Sequence, residues 1–592
     1  SIPVDKETVF NIGSVSKVFT AAAVMLLVDE GVVDLDHPVT NYLPEFSMQD
    51  PRYREITVRM LLNHTSGIAG STMANTFGYE YNEQVNSLIM KNINQSNLIH
   101  EPGAVAVYCN DGFALAEMIV ERISGKPFID YLSEEIFEPL GLENTGMSIK
   151  AKEKGVPAVY YSAFTGEREP QEVISSLGAG GLNSTVIDLC RFVDCFSDSG
   201  NILFSQSVFE EIRNPQPTHF KDQLKNPYMS FGLGWDYTSI PKYEQEGIQV
   251  IGKSGDSMNY AAMLLTVPEM RLSVAVIETG TNPEATLIAD KVLEQVLIEK
   301  GVLKEREETV FIPLVPEPLP SEYNTFEGYY VGSSGDLFRV QVDEQSDTVN
   351  LFSISDGEDV PLVSFFFNNR YLYDESSGEN KSYFIELKNK SYFVSSSFGM
   401  DLLTLEKIEV LEEPKTLMMD INEVRWLRRN VKPFEHKELQ YNHIQQSYTF
   451  DFLPGYSFFN SITRIVSPTF AGYSAETARD QKFLSLFATD STVWARTSDM
   501  IYSPAEEITV IENKTQSVTI SSQGYNEWLM TSEDSIITFT IPETGRVVIF
   551  SPEGVPVYDS LEGKTEFYVE KNSFIEMIGY PGDIFYILAQ AQ

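Results

Sequence analysis

Cysteine is scarce in this sequence: three residues in 592, Cys109, Cys190 and Cys195. Few and odd in number, they imply no disulfide framework, and none are spaced Cys-x-x-Cys, which excludes the common zinc and redox motifs. Histidine is almost as thin, at six, with no His-Glu-x-x-His and no close pair on one helix face. No metal and no cofactor is expected. Basic charge is short too: 43 Lys and Arg stand against 85 Asp and Glu, a formal net charge of -42. That argues against nucleic acid or an anionic membrane surface as partner. It names no substrate, because an acidic surface is commonly a solubility device. No stretch reaches the roughly 18 apolar residues of a membrane-spanning helix, and no signal peptide is visible. The chain starts abruptly at Ser1, a few residues ahead of a helix that reads as central, so this start is expected to be a trimmed one.

What is present is an ordinary globular composition, 42% hydrophobic and 12% aromatic, in a chain too long for one core. Residues 1–304 read as mixed helix and strand. Ala21 to Val28 is almost wholly apolar, which suits a helix buried on most sides, with Gly31 at its stop. A second helix is expected from about Gly112 to Ser124, capped by Asn110 or Asp111 and ended by Gly125. Gln249 to Gly255, Ala261 to Val267 and Leu272 to Glu278 predict a three-strand antiparallel meander. A helix follows, with Asn282 as N-cap and Pro283 at its first position. Leu287, Ile288, Val292, Val296 and Leu297 are expected to turn inward. Residues 305–322, with Pro313, Pro316, Pro318 and Pro320, form a stiff linker. From 323 to 410 short strand-like runs alternate with Gly, Asn, Asp and Ser turns, which predicts a small antiparallel barrel. Residues 415–592 are expected to form a second β-rich domain, a further barrel being one form it could take. No chemical constellation follows the linker.

The chemistry gathers in the first half. Ser14-Val15-Ser16-Lys17 opens the first helix, and residues three apart on a helix lie nearly above one another, so Ser14 and Lys17 meet without help from the fold. Alone such a string is usually a capping or solvated serine. Tyr108-Cys109-Asn110 sits on a loop held at a helix start, and Lys253-Ser254-Gly255 lies on the first strand of the meander. In that order, each on the element the chemistry needs, the three strings point jointly to a serine nucleophile. Ser14 would attack an acyl carbon. A serine is inert without a base, and two candidates stand open. Lys17 qualifies if burial and neighbouring cations lower its pKa. Tyr108 qualifies if Lys17 and Lys253 push its phenol toward phenolate. Asn110 would hold Lys17 and touch the substrate amide. Backbone N–H groups of Ser14 and Asp256 would form the oxyanion hole, with Ser254 beside them. Gly255 is expected to let a substrate backbone approach the strand. His64 is read as structural; His37, His100, His219, His436 and His443 as surface or packing residues; Trp235 as core; and Glu134-Glu135 as a solvated helix face.

These motifs resemble the class C β-lactamase and penicillin-binding-protein-like serine hydrolases, among them D-aminopeptidases, DD-peptidases and carboxylesterases. The resemblance runs from Glu7 to about Glu299. It includes Leu61-Leu62-Asn63-His64-Thr65-Ser66-Gly67, Glu101-Pro102-Gly103, Phe137-Glu138-Pro139-Leu140-Gly141, Gly180-Gly181-Leu182 and Tyr228 to Trp235. It implies a multidomain fold: an α+β β-lactamase/transpeptidase-like domain, its antiparallel sheet covered by helices, followed by two mostly antiparallel β domains, at least one a lipocalin-like barrel. It further implies a hydrolase acting through an acyl-enzyme on an amide, peptide or ester, with D-amino-acid-containing peptides the first expectation. A weakly active penicillin-binding sensor of peptidoglycan-like ligands is the alternative, and a β-lactamase or carboxylesterase a second one. A peptide or small-molecule substrate and an extracytoplasmic location are implied as well. Two strands that ordinarily precede the nucleophile helix are missing here, which would leave the last meander strand as an edge. Asp256 stands where the family usually has a small residue. Its charge is expected to turn carboxylate-bearing substrates away in favour of neutral or amine-bearing ones, unless the side chain merely points to solvent.

Overall fold

The computed structural model describes residues 3–147, 156–160, 168–198, 200–216, 231–258, 260–279, 284–304, 314–355, 357–374, 381–397, 400–489, 492–511, 515–564 and 566–591. Asn282, Pro283, Pro313, His219 and Tyr228 fall outside that set. The chain divides into two compact units. One joins Ser1–Ser71, Glu83–Glu409 and Ala475–Gln481; the other joins Thr72–Asn82, Val410–Ser474 and Lys482–Gln592.

In the first unit a short 3-10 turn, Gly13–Val15, leads into the helix Ser16–Asp29. Its alanines, valines and leucines leave no polar face, and all but three of its residues are buried, as a helix apolar all round must be. Gly234 shows how closely it is covered. A Cβ there would lie 2.7 Å from Ala21 Cβ and 3.0 Å from the Lys17 carbonyl oxygen, at a φ of +83°. The second helix is Asn110–Ser124, closed by left-handed Gly125. Its cap is Cys109, one residue earlier than expected, with the thiol accepting the Gly112 N–H. That shift makes Asn110 the first helical residue.

The meander folds as Ile251–Asp256, Tyr260–Val267 and Leu272–Thr279, antiparallel throughout, with Lys253 opposite Leu264 and Asp256 opposite Ala261. The helix Ala285–Glu299 packs on this sheet through Ala285, Ala289, Leu293 and Leu297. The expected inward face is therefore largely wrong: Leu287, Ile288 and Val292 are about two-fifths exposed. Residues at i, i+4, i+8 and i+12 share a stripe, and here small alanines at two of those positions bring helix and sheet close. Bulk pointed to the neighbouring stripe.

The barrel follows as eight antiparallel strands in chain order, closed where Gly328–Gly332 pairs with Met400–Lys407. Closure removes the sheet edges. Tyr330, Val340, Val349, Phe365, Leu372, Phe393 and Leu405 fill it, and Tyr323 joins them from the 3-10 turn Ser321–Phe326. The Phe326 ring stacks on Phe384 with centroids 4.4 Å apart.

The second unit is β throughout its larger part. A nine-stranded sheet is followed by a five-stranded and a four-stranded sheet. The latter two share one core, in which Leu529, Val547 and Ile575 of the first meet Ile537, Phe585 and Ile587 of the second. This is sheet-on-sheet packing, and the second barrel considered from sequence is not formed among the described residues. His443 is not a surface residue: it is buried, with Nδ1 2.6 Å from Glu576 Oε2, beside the buried Arg428–Glu435 pair.

Candidate active site

Ser14 is placed by glycine and by backbone bonds. Gly13 has φ +48°, and a Cβ on it would sit 2.6 Å from the Asp256 carbonyl oxygen, so only glycine fits. Asn11 Oδ1 accepts the Gly13 N–H at 2.8 Å. Ser16 Oγ donates to Gly13 O at 2.7 Å and accepts from Leu182 N at 3.1 Å. A Cβ on Gly255 would strike Ile12 O at 2.2 Å and lie 3.0 Å from Ser14 N. Gly255 therefore serves the contact between the Lys253 strand and the Ser14 turn, not the approach of a substrate. The same contact brings the backbones of Ser14 and Asp256 together, while the Asp256 side chain is exposed.

Ser14, Lys17, Tyr108, Asn110 and Lys253 converge although they come from three separate segments. Lys17 is completely buried. Its Nζ lies 3.0 Å from Ser14 Oγ and donates to Asn110 Oδ1 and Ala179 O, both at 2.6 Å. Burial holds the Lys17 pKa well below that of a free lysine, and the Lys253 and Arg479 cations push the same way. Asn110 Nδ2 donates to Ser71 Oγ at 2.7 Å, which sets the amide with its oxygen toward Lys17. Lys253 is the opposite case. Burial works against its charge, but Asp236 and Tyr108 outweigh it and its pKa is raised. Its Nζ donates to Asp236 Oδ2 at 2.9 Å, Ser254 O at 2.8 Å and the Tyr108 hydroxyl at 3.3 Å. Tyr108 is pushed up by burial, with Asp236 adding to it, against the pull of Lys253, the Ser14 hydrogen bond and Arg479. The phenolate considered from sequence is thus disfavoured.

Three side chains here were invisible in sequence. Asp236 is fully buried and takes Lys253, the Ser254 N–H at 2.9 Å and the Ser254 hydroxyl at 2.7 Å. The signal available was only its place after Trp235, itself buried in the core. Arg479 lies with its guanidinium 4.6 Å from the Tyr108 ring centroid. Glu117, on the inner face of its helix, accepts the Gly178 N–H at 2.6 Å and Asn86 Nδ2 at 3.0 Å. It thereby holds the turn whose next carbonyl, Ala179 O, receives Lys17. His64 has the structural place read from sequence. Its Nδ1 accepts the Cys109 N–H at 2.9 Å and its ring stacks on Tyr108 at 4.3 Å. Burial and nearby cations keep it neutral.

Burial raises the Glu117 pKa to about 7. A carboxyl raised on folding contributes stability that is complete below its free value near 4.5 and is lost as pH climbs through 7, about 3 kcal/mol in all. Glu117→Gln keeps an acceptor for Gly178, and Asn86 Oδ1, which has no partner among the described residues, can turn to accept the new amide. The variant is expected to melt progressively higher than wild type as pH rises from 5 to 8.5. Parallel melting curves across that range would refute the assignment.

The family described as Beta-lactamase matches residues 1–297 of the 592. The chain belongs to the beta-lactamase family. Members of this family are serine hydrolases. Penicillin-binding protein 4 of Amycolatopsis lactamdurans is 28% identical over 353 residues, covering 56% of this chain and 87% of that protein. The D-alanyl-D-alanine-carboxypeptidase/endopeptidase AmpH of Escherichia coli K12 is 26% identical over 293 residues, 46% of this chain and 71% of that protein. Among solved structures, the octameric penicillin-binding protein homologue from Pyrococcus abyssi superposes with a TM-score of 0.41 at 24% identity, covering 69% of this chain and 90% of that one. Among the described residues no helix of this family member is long and apolar enough to cross a membrane.

Proposed function

We propose that this chain hydrolyses an amide, peptide or ester through an acyl-enzyme on Ser14, with D-amino-acid-containing peptides as the first substrate class to test. The observation that carries the reading is the set of partners around Lys17. Asn110 Oδ1 and Ala179 O are acceptors only, so Lys17 must spend an N–H on each. In a neutral amine that leaves one lone pair, and the remaining neighbour is Ser14 Oγ at 3.0 Å. The geometry supports the amine as base over the phenol, and the lowered Lys17 pKa supports the same choice.

In this reading Ser14 Oγ attacks the acyl carbon and its proton passes to Lys17. The tetrahedral oxyanion sits at the N–H groups of Ser14 and Asp256; losing one such donor typically costs ~10²–10³ in rate. As the carbon–nitrogen bond breaks, Tyr108 gives its proton to the leaving nitrogen. The ammonium of Lys253 holds the resulting phenolate until the proton on Lys17 replaces the one lost. Water then attacks the acyl carbon, Lys17 again accepts a proton, and the acid leaves as that proton returns to Ser14.

Intact-mass spectrometry tests the reading. A fluorophosphonate is expected to add once to wild type and not at all to Ser14→Ala, and a penicillin adduct on wild type is expected to clear with time. A wild type that never labels sinks the hydrolase reading; a penicillin adduct that stays would favour a binding or sensing role for the same pocket.

A further inference from the structure

Resting on the hydrolase reading, we propose that Arg479 is a specificity-determining residue that reads a carboxylate on the substrate close to the scissile bond. Arg479 belongs to Ala475–Gln481, a short segment that is compact with the first unit although its neighbours in sequence are not. The segment is built to hold one shape. Gln481, buried, bridges its ends: Oε1 accepts the Ala475 N–H at 3.2 Å, and Nε2 donates to Ala475 O at 2.6 Å and Ala478 O at 3.0 Å. Glu406, on the last barrel strand and only 1% exposed, accepts from Glu476 N at 2.7 Å, Thr477 N at 3.0 Å and Thr477 Oγ1 at 3.1 Å. Lys390 Nζ neutralises it at 2.6 Å. The Arg479 N–H donates to Ser333 O at 2.6 Å.

The tip then meets the catalytic scaffold. A Cβ on Gly70 would lie 2.8 Å from Asp480 Cα. Gly70 O accepts the Asp111 N–H at 3.1 Å, and Ser71 beside it holds Asn110. The strap thus touches the residues that position the site. It delivers the Arg479 guanidinium over the Tyr108 ring, where the ring face favours a cation. Of the five guanidinium N–H groups, Asp480 takes only the one on Nε, at 2.8 Å. The two terminal nitrogens have no partner among the described residues, and the side chain is 45% exposed. A fixed planar fork with free donors at the edge of a nucleophile site fits a carboxylate in two-point contact. Arg479 also answers the charge of Asp256, which sequence alone would take as a barrier to such substrates.

The test uses the full chain and three peptides of equal length in which D-alanine precedes the scissile bond, the leaving residue being D-alanine in the first two. One ends in a free carboxylate, one in an amide, and one in an amide with an acidic leaving residue. Fluorophosphonate labelling of wild type is measured alongside. In Arg479→Ala the ratio of kcat/KM for carboxylate over plain amide peptides is expected to fall about tenfold, as for loss of a hydrogen bond to a charged group, with Arg479→Lys between. A fall confined to the free terminus assigns the α-carboxylate; a fall confined to the acidic residue assigns a side-chain carboxylate. If wild type does not label, the hydrolase reading itself fails. If it labels but the ratio is the same in wild type, Arg479→Ala and Arg479→Lys, Arg479 is no specificity residue.

Discussion

Lys17→Met is expected to lower kcat/KM about 10³-fold or more while the protein stays folded. A positioned base ordinarily contributes ~10²–10⁴, and among the described residues Lys17 is the amine within hydrogen-bond reach of Ser14 Oγ. Methionine matches the length and apolar stem of lysine, so the helix Ser16–Asp29 keeps its packing. Lys17→Arg is expected to be as inactive, because a guanidinium does not give up its proton near neutrality. The sign of the pH dependence follows. In the proposed mechanism Lys17 works only as the free amine, so wild-type kcat/KM is expected to climb with pH through an acid limb set by a lysine far below its usual value. Tyr108→Phe, which cannot protonate the leaving group, should keep that limb while losing rate. Steady-state kinetics from pH 5 to 10, with far-ultraviolet circular dichroism on each variant, decide the matter. A Lys17→Met enzyme within tenfold of wild type would return the base to Tyr108.

Asp236→Asn is expected to cost more stability than any other single change at the site, about 3–5 kcal/mol. Removing one partner of a buried ion pair leaves the other charge uncompensated, and neither Asp236 nor Lys253 has any exposed side-chain surface. The damage should reach catalysis too. Without Asp236, burial works against the Lys253 charge with its main opposing carboxylate gone, and the cation that would hold the Tyr108 phenolate is weakened. We expect kcat/KM to fall at least ~10²-fold. The double variant Asp236→Asn/Lys253→Met removes both charges and should regain most of the lost stability with none of the activity. Thermal unfolding of the single and double variants forms the cycle. A single Asp236→Asn variant that melts with wild type would show that the pair is not the counter-ion system described.

Much of the site was legible because its parts are local. Ser14 and Lys17 meet through helix spacing alone, and the meander strands announce themselves by apolar runs broken at turns. Cys109 in place of Asn110 as the cap was a one-residue miss, since a thiol is seldom read as a capping acceptor. Other features depended on sums that no string contains. Tyr108 has two lysines nearby, yet burial outweighs them and the phenol keeps its proton. Lys17 and Lys253 are both fully buried lysines, yet their pKa values move in opposite directions: Lys253 is in direct contact with Asp236, while burial and the neighbouring cations Lys253 and Arg479 prevail at Lys17.

The sequence by itself singled out the candidate nucleophile Ser14 and the residues gathered around it, Lys17, Tyr108, Asn110 and Lys253, and it determined the helix-covered sheet and the barrel after it. Each rests on short-range periodicity or on motif spacing, which the chain carries wherever it folds. Tertiary structure alone decided which lysine has its pKa lowered and which raised, which carboxylate holds the latter, why Gly255 must be glycine, and that Arg479 stands over Tyr108. Those are properties of burial and of contacts between distant segments, and such contacts have no fixed spacing along the chain.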